Sequence, residues 1–195
     1  MRRNFSRLII LLMIPFTFAS LSAATAPTAP GTYRDWNDVD EVTILQPFHA
    51  AAYRNIAVES FDSSSIRLPD ANDNTYEAVR SALRMMKPAF IDGVEKKARR
   101  KASAGGGVGT LIIRARLTKL DPGSQAARYW AGFGAGAVKI AITGEIVDGS
   151  TQKILLRFVQ ERRSAFGAFG GGYGALFERT ARQLGGDVAG IINAF

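Results

Sequence analysis

The order of hydrophobic patterns along the chain predicts an α/β (α+β) sandwich, a mixed and largely antiparallel sheet of about four strands with two helices packed on its apolar face. Two observations carry this reading. Apolar residues alternate with polar ones over 109–120, 138–146 and 154–158, the period of a half-buried strand. Over 76–90 and 176–195 they recur every three or four residues instead, the period of a helix with one buried face. The element order is strand, helix, three strands, helix, and no repeat at solenoid spacing interrupts it.

The run from Val39 to Phe48 has strand character, with Pro47 near its end suiting an edge or terminal position. The stretch from Tyr53 to Phe61 alternates through Ile56 and Val58 and reads as a further strand. After a polar loop with Pro69, Asp70, Asn72 and Asp73, either Asn74 or Thr75 is placed to cap a helix. Its apolar face comprises Tyr76, Val79, Leu83, Met86 and Phe90, and Pro88 is expected to kink or divide it. The basic run Lys96, Lys97, Arg99, Arg100 and Lys101 complements the carboxyl end of its dipole, and Gly105-Gly106-Gly107 stops it.

In the strand at 109–120, Leu111, Ile113, Ala115 and Leu117 face one way while Arg114, Arg116 and Thr118 face water. Val138, Ile140, Ile142 and Ile146 make the next strand and Ile154, Leu156 and Phe158 the last, with Asp148-Gly149-Ser150-Thr151 as the hairpin turn between them. The final helix carries Leu176, Phe177, Thr180, Leu184, Val188, Ile191 and Phe195, and Gly185-Gly186 reads as a weak point or bend in it.

Residues 1–24 read as a cleaved secretory signal. Arg2, Arg3 and Arg7 form a basic start, Leu8 to Ala19 a short apolar run, and Ser20 to Ala24 a small-residue cleavage region. Residues 25–37, with Pro27, Pro30 and Gly31, read as a linker, and 38–195 as a single domain. The expectation is an exported, periplasmic protein, peripheral to the outer membrane if it is surface-bound. The chain has 25 basic and 17 acidic residues; without the three leader arginines 22 remain, a net charge of +5. That balance suits contact with an acidic partner, and nucleic acid is not expected for an exported chain. With no cysteine there is neither a disulfide nor a lipidation site, so stability rests on the core.

No catalytic constellation stands out. His49 is the only histidine, which excludes a histidine-rich metal site and leaves a serine triad without a recognisable nucleophile. The acids Asp35, Asp38, Asp40 and Glu41 lie in a linker-like context that suits solvation. The segment Gly132-Phe133-Gly134-Ala135-Gly136-Ala137 formally matches a dinucleotide fingerprint, but a polar loop precedes it and an alternating strand follows, the reverse of what that fingerprint requires. No cofactor or metal is therefore expected, and no enzymatic activity. Two segments rich in glycine and aromatic residues are candidates for partner binding instead. One contains Asp121, Arg128, Tyr129, Trp130, Gly132, Phe133, Gly134 and Gly136; the other contains Phe166, Phe169 and Tyr173. Lys96, Lys97, Arg99, Arg100 and Lys101 form a candidate anionic surface contact for membrane or glycan.

The stretch Leu120-Asp121-Pro122-Gly123-Ser124-Gln125-Ala126-Ala127-Arg128-Tyr129, then Gly132 to Gly136, Val147-Asp148 and Lys153-Ile154-Leu155, resembles an uncharacterised family of bacterial exported proteins and lipoproteins known as a domain of unknown function. The resemblance covers roughly residues 50–195; it implies an envelope location, and the missing cysteine departs from the lipoprotein members. The element order is also similar to the amino-terminal domain of TolB and the periplasmic domain of the curli secretion channel, a likeness of fold that transfers no activity. The function expected is binding of an envelope protein or self-association. The alternatives are a hydrolase of an envelope polymer using unidentified carboxylates and an anionic lipid or glycan binder.

Overall fold

The computed structural model describes residues 27, 29–98, 108–123, 137–164 and 173–195. Its elements are β1 (Gly31–Trp36), β2 (Val39–Ile44), a short 3-10 turn at Ala50–Ala52, β3 (Tyr53–Asp62), α1 (Tyr76–Lys97), β4 (Gly109–Asp121), β5 (Val138–Asp148), β6 (Ile154–Ser164) and α2 (Tyr173–Ala194). The strands form one six-stranded sheet in the order β1-β2-β6-β5-β4-β3. Every pairing is antiparallel except β3 with β4. A parallel pair needs a crossover, and α1 provides it.

The mixed α+β architecture stands, with six strands where about four were expected. Gly31–Trp36, read from sequence as part of the linker, is the edge strand β1. It escaped detection because both of its faces are largely exposed, which leaves no alternation to read. Asn37 and Asp38, with φ of 55° and 63°, make the two-residue turn into β2; Asn and Asp are the non-glycine residues that best tolerate that region. β2 is not an edge. It lies between β1 and β6 and ends at Ile44, before Pro47.

α1 is one continuous helix through Pro88, which is exposed on the side away from the core, where no packed layer needs the lost donor. Val79, Met86 and Phe90 are buried as the period predicted. The N-terminal turn is organised differently from expectation: Thr75 occupies the cap position, but its amide and hydroxyl both donate to Oδ1 of Asp73, at 2.7 and 2.6 Å.

Gly185 and Gly186 do not interrupt α2, which runs unbroken through them. They are buried because α1 crosses here. A Cβ on Gly185 would stand 2.1 Å from the carbonyl oxygen of Phe90, and one on Gly93 would stand 2.0 Å from that of Arg182. Glycine at both positions lets the two helix backbones touch. α2 is therefore buried on most sides, with Leu184, Val188 and Ile192 in the core and α1 packed against it at this crossing. No helix among the described residues is long and apolar enough to cross a membrane.

The candidate site on the open sheet face and the loop end

Among the described residues, the helices cover one face of the sheet and leave the other open. Along β4, the buried Leu111, Ile113, Ala115 and Leu117 point to the helices and Arg114 and Arg116 point away. Strand register arranges the open face in rows. One row reads Asp62, Arg116, Thr143, Val159, Glu41, Arg34 from β3 to β1. The next reads Ser60, Arg114, Glu145, Arg157, Thr43, Thr32. All of these except Arg34 and Thr32 on β1 line an open trough of about 610 Å³.

Charges on these rows alternate strand by strand. Acids come from β3 (Glu59, Asp62), β5 (Glu145) and β2 (Glu41); arginines come from β4, β6 and β1. Neighbouring strands pair accordingly: Arg116 with Asp62 at 2.9 Å, Arg157 with Glu145 at 3.0 Å, Arg34 with Glu41 at 3.1 Å, and Arg114 with Glu59. A further set, Lys119 and Arg163 on Glu161, lies toward the loop end of the sheet. Exposed pairs of this kind contribute only about 0–1 kcal/mol each. Their effect is on register, since a one-residue slip turns every charge to the helix side.

The guanidinium of Arg114 holds the Glu59 carboxyl below its usual range, chiefly by hydrogen bonding. The Asp62 carboxyl is lowered first by its hydrogen bonds from Ser64 and then by Arg116. Glu161 is lowered by Arg163 and Lys119. Each of these carboxylates is held ionised, the opposite of a general acid, which needs its pKa raised toward neutrality.

Two polar hubs fix the sheet. Asp148 opens the β5–β6 turn: its Oδ1 accepts from the Ser150 hydroxyl (2.6 Å) and from the amides of Ser150 and Thr151 (2.9 and 2.8 Å). Its Oδ2 accepts from the Tyr53 hydroxyl at 2.8 Å, tying β3 to the turn. These donors hold the Asp148 carboxyl well below the usual range, Ser150 foremost, while burial and then the bond to Asp148 push the Tyr53 phenol up to about 12. On the helix side, Arg162 donates to both oxygens of the buried Asp187, at 2.6 and 2.8 Å. Gln160 donates to Asp187 (3.1 Å) and to the Asp38 carbonyl (3.0 Å) and accepts from the Asp40 amide (2.8 Å). α2, β6 and the β1–β2 turn are locked together by this network. Sequence reading missed both hubs and the ladder of charges, because each depends on which strands lie side by side.

Of the residues singled out from sequence, Asp121 ends β4 opposite Lys139, and its Oδ1 accepts from the Gly123 amide at 2.8 Å. Tyr173 opens α2, half-buried, with its ring stacked on Phe177 at 6.3 Å. Lys96 pairs with Asp92 at 2.9 Å, and the Lys97 carbonyl accepts from Asn193 at 2.8 Å. His49 is exposed beside the 3-10 turn. Arg99, Arg100, Lys101, Arg128, Tyr129, Trp130, Gly132, Phe133, Gly134, Gly136, Phe166 and Phe169 lie outside the described residues. The flanks of the two glycine- and aromatic-rich segments nevertheless adjoin: Asp121 pairs with Lys139, and Val138, where β5 begins, pairs with Ser164, where β6 ends.

A helical layer on one face and a charge-paired, solvent-open surface on the other make this an open-faced, two-layer α+β sandwich. Residues 50–168 match the model of a domain of unknown function, DUF4410, and the chain belongs to that family. The match runs from the 3-10 turn through β6 and leaves β1, β2 and α2 outside it. No curated protein matches the chain significantly. Among solved structures, it is similar to the PelC dodecamer from Paraburkholderia phytofirmans, at 13% identity and a TM-score of 0.36, over 75% of this chain and 95% of that one. It is also similar to protein XCC0632 from Xanthomonas campestris, of the family DUF330, at 16% identity and a TM-score of 0.34, over 71% of this chain and 82% of that one.

Proposed function

We propose that the domain is a non-enzymatic binding or assembly module of the bacterial envelope, exported through a cleaved leader. Its partner is another envelope protein or another copy of itself. The contact lies at the end of the sandwich from which segments 124–136 and 165–172 depart. The carrying observation is the pairing of Val138 with Ser164 beside that of Asp121 with Lys139. It brings the flanks of two segments rich in glycine and aromatic residues, distant in sequence, to adjacent strand ends. Rigid strands presenting adjacent loops are a common basis for recognition. The depressed carboxylates of the open face support the non-enzymatic reading over a hydrolase of envelope polymers.

Crosslinking in envelope extracts followed by affinity recovery tests this reading with a variant combining Trp130→Ala, Phe133→Ala, Phe166→Ala and Phe169→Ala. The expected result is loss of the recovered partner with an unchanged melting curve. Full recovery by the variant would refute the loop end as the contact. Export is tested separately by amino-terminal sequencing of periplasmic material. A start between Ala23 and Thr25 is expected, and an intact Met1 on a membrane-bound product would contradict it.

A further inference from the structure

We infer that the trough on the open sheet face is a binding site for a neutral, hydroxyl-rich chain, a glycan. The site is separate from the loop end, and the inference does not rest on the contact proposed there. Two observations carry it: hydrogen-bonding groups that the fold holds in place but leaves unused, and an exposed valine at the centre of a charged surface.

Three arginines and three carboxylates line the trough, Arg114, Arg116 and Arg157 with Glu41, Asp62 and Glu145. Pairing is side-on through Nε: Arg116 donates to Asp62 at 2.9 Å and Arg157 to Glu145 at 3.0 Å. Both guanidinium planes are thereby held, while their terminal nitrogens meet no acceptor among the described residues. The second carboxylate oxygens of Glu145 and Glu41 likewise accept no hydrogen bond among the described residues. The hydroxyls of Ser60 and Thr143 stand beside Arg114 and Arg116 on the same rows. A planar fork already fixed by its partner loses little freedom when a ligand takes up its remaining donors.

The array carries no net charge, and its signs lie too close together for an ion. A carboxylate or phosphate reaching Arg157 comes within one strand spacing, about 4.8 Å, of Glu145. An ammonium reaching Glu145 comes as near to Arg157 on one side and to Arg114 on the other. A hydroxyl escapes both repulsions, because the same group donates to a carboxylate or accepts from a guanidinium. It also brings no charge to desolvate. Val159 is 39% exposed, one of four large hydrophobic side chains so exposed among the described residues, and it pairs with Thr143 on the central strands. These two short side chains form a floor that suits the C–H face of a sugar ring, with its hydroxyls reaching the longer side chains around it.

The lining runs from β3 to β2, four strand spacings or roughly 19 Å. A single sugar ring is shorter than that, so the occupant is an oligomer or a stretch of polymer. The volume of about 610 Å³ falls within the range of ligand sites.

Amide chemical-shift titration of the purified chain tests the inference. The probes are a glucose hexamer and an N-acetylglucosamine tetramer, both neutral, with galacturonate and glucosamine oligomers as anionic and cationic counterparts. At least one neutral oligomer is expected to give saturable shifts at Thr143, Glu145, Arg157 and Val159 in the millimolar range. Its affinity is expected to be the same at about 0.1 and 1 M salt, since there is no attraction between charges to screen. Combining Arg116→Met with Arg157→Met removes the outward donors and keeps the apolar stems; binding is expected to weaken about tenfold. Arg34→Met breaks a pair on the same face outside the trough and is expected to bind as wild type does. Circular dichroism melting establishes that the variants are folded, and the wild-type titrations stand whether or not the double variant folds. Absence of saturable shifts at the trough with both neutral oligomers overturns the inference. So does a charged oligomer that binds more tightly and loses affinity with salt, or a folded double variant with wild-type affinity.

Discussion

Gly185→Ala sets local helix propensity against tertiary packing, and the two predict opposite signs. In a helix interior, alanine is favoured over glycine by about 0.8–1.0 kcal/mol, so propensity alone makes the substitution stabilising. The structure opposes it. The new Cβ would lie 2.1 Å from the Phe90 carbonyl oxygen and 2.9 Å from the Val94 amide nitrogen, both backbone atoms of α1 that no rotamer change can move aside. Relief requires the helices to separate by about 1 Å, loosening the packing around Phe90 and Leu184; overpacking of this kind costs about 1–3 kcal/mol and occasionally more. With contacts this short and made by backbone the cost falls at about 2–3 kcal/mol; less the propensity gain of about 1, the net destabilisation is about 1–2 kcal/mol, a fall in melting temperature of roughly 2–8 °C for a domain of this size. Thermal and urea unfolding followed by circular dichroism measure it. Two neighbours calibrate the result: a Cβ on Gly186 meets the flexible Lys97 stem at 3.4 Å and the Gly93 carbonyl oxygen at an ordinary 3.9 Å, and one on Gly174 meets nothing within 4 Å. Both alanine variants are expected to be neutral or stabilised by up to about 1 kcal/mol. A Gly185→Ala protein that melts at or above the wild-type temperature would refute the account of the helix crossing.

Asp187→Ala removes the buried carboxylate that holds Arg162 and Gln160; with Arg162 still reached by water, the loss should be about 2–3 kcal/mol, read by urea unfolding, and an unchanged midpoint would count against the hub. Because the Asp148 carboxyl is depressed in the fold, its contribution is complete above the ordinary carboxylate range near pH 4 and lost as pH falls below it. Asp148→Asn should therefore flatten the acid limb of a stability–pH curve, and parallel curves would reject the assignment. The Tyr53 phenol is raised instead, so its contribution is present below about pH 10 and lost as pH climbs toward about 12; Tyr53→Phe should reduce that alkaline loss, measured by melting across the same range.

How much of this molecule was legible in its sequence depends on whether a residue's partner is local. β4, β5, β6 and both helices declared themselves because each buries one face, and that face repeats at a fixed spacing in the chain. β1 did not, since its exposed faces leave no period, and Asn37 read as the end of a linker rather than the first residue of a turn. Gly185 was misread as a weak point because propensity describes a helix alone, whereas its Cβ position is occupied by the backbone of α1. The wet face of β4 was visible at Arg114 and Arg116, but their partners Glu59 and Asp62 lie more than fifty residues away and meet them only through the parallel pairing of β3 with β4. Charge was nevertheless a usable constraint on that topology. β2 brings Glu41 to the open face and β3 brings Glu59 and Asp62, so setting these two strands side by side would oppose acid to acid, a destabilising cross-strand pairing. β6, with Arg157, offers β2 a neighbouring strand of opposite sign, and β4, with Arg114 and Arg116, offers the same to β3. In the rows through Arg116 and Arg114, the observed order β1-β2-β6-β5-β4-β3 sets no like charges side by side on neighbouring strands.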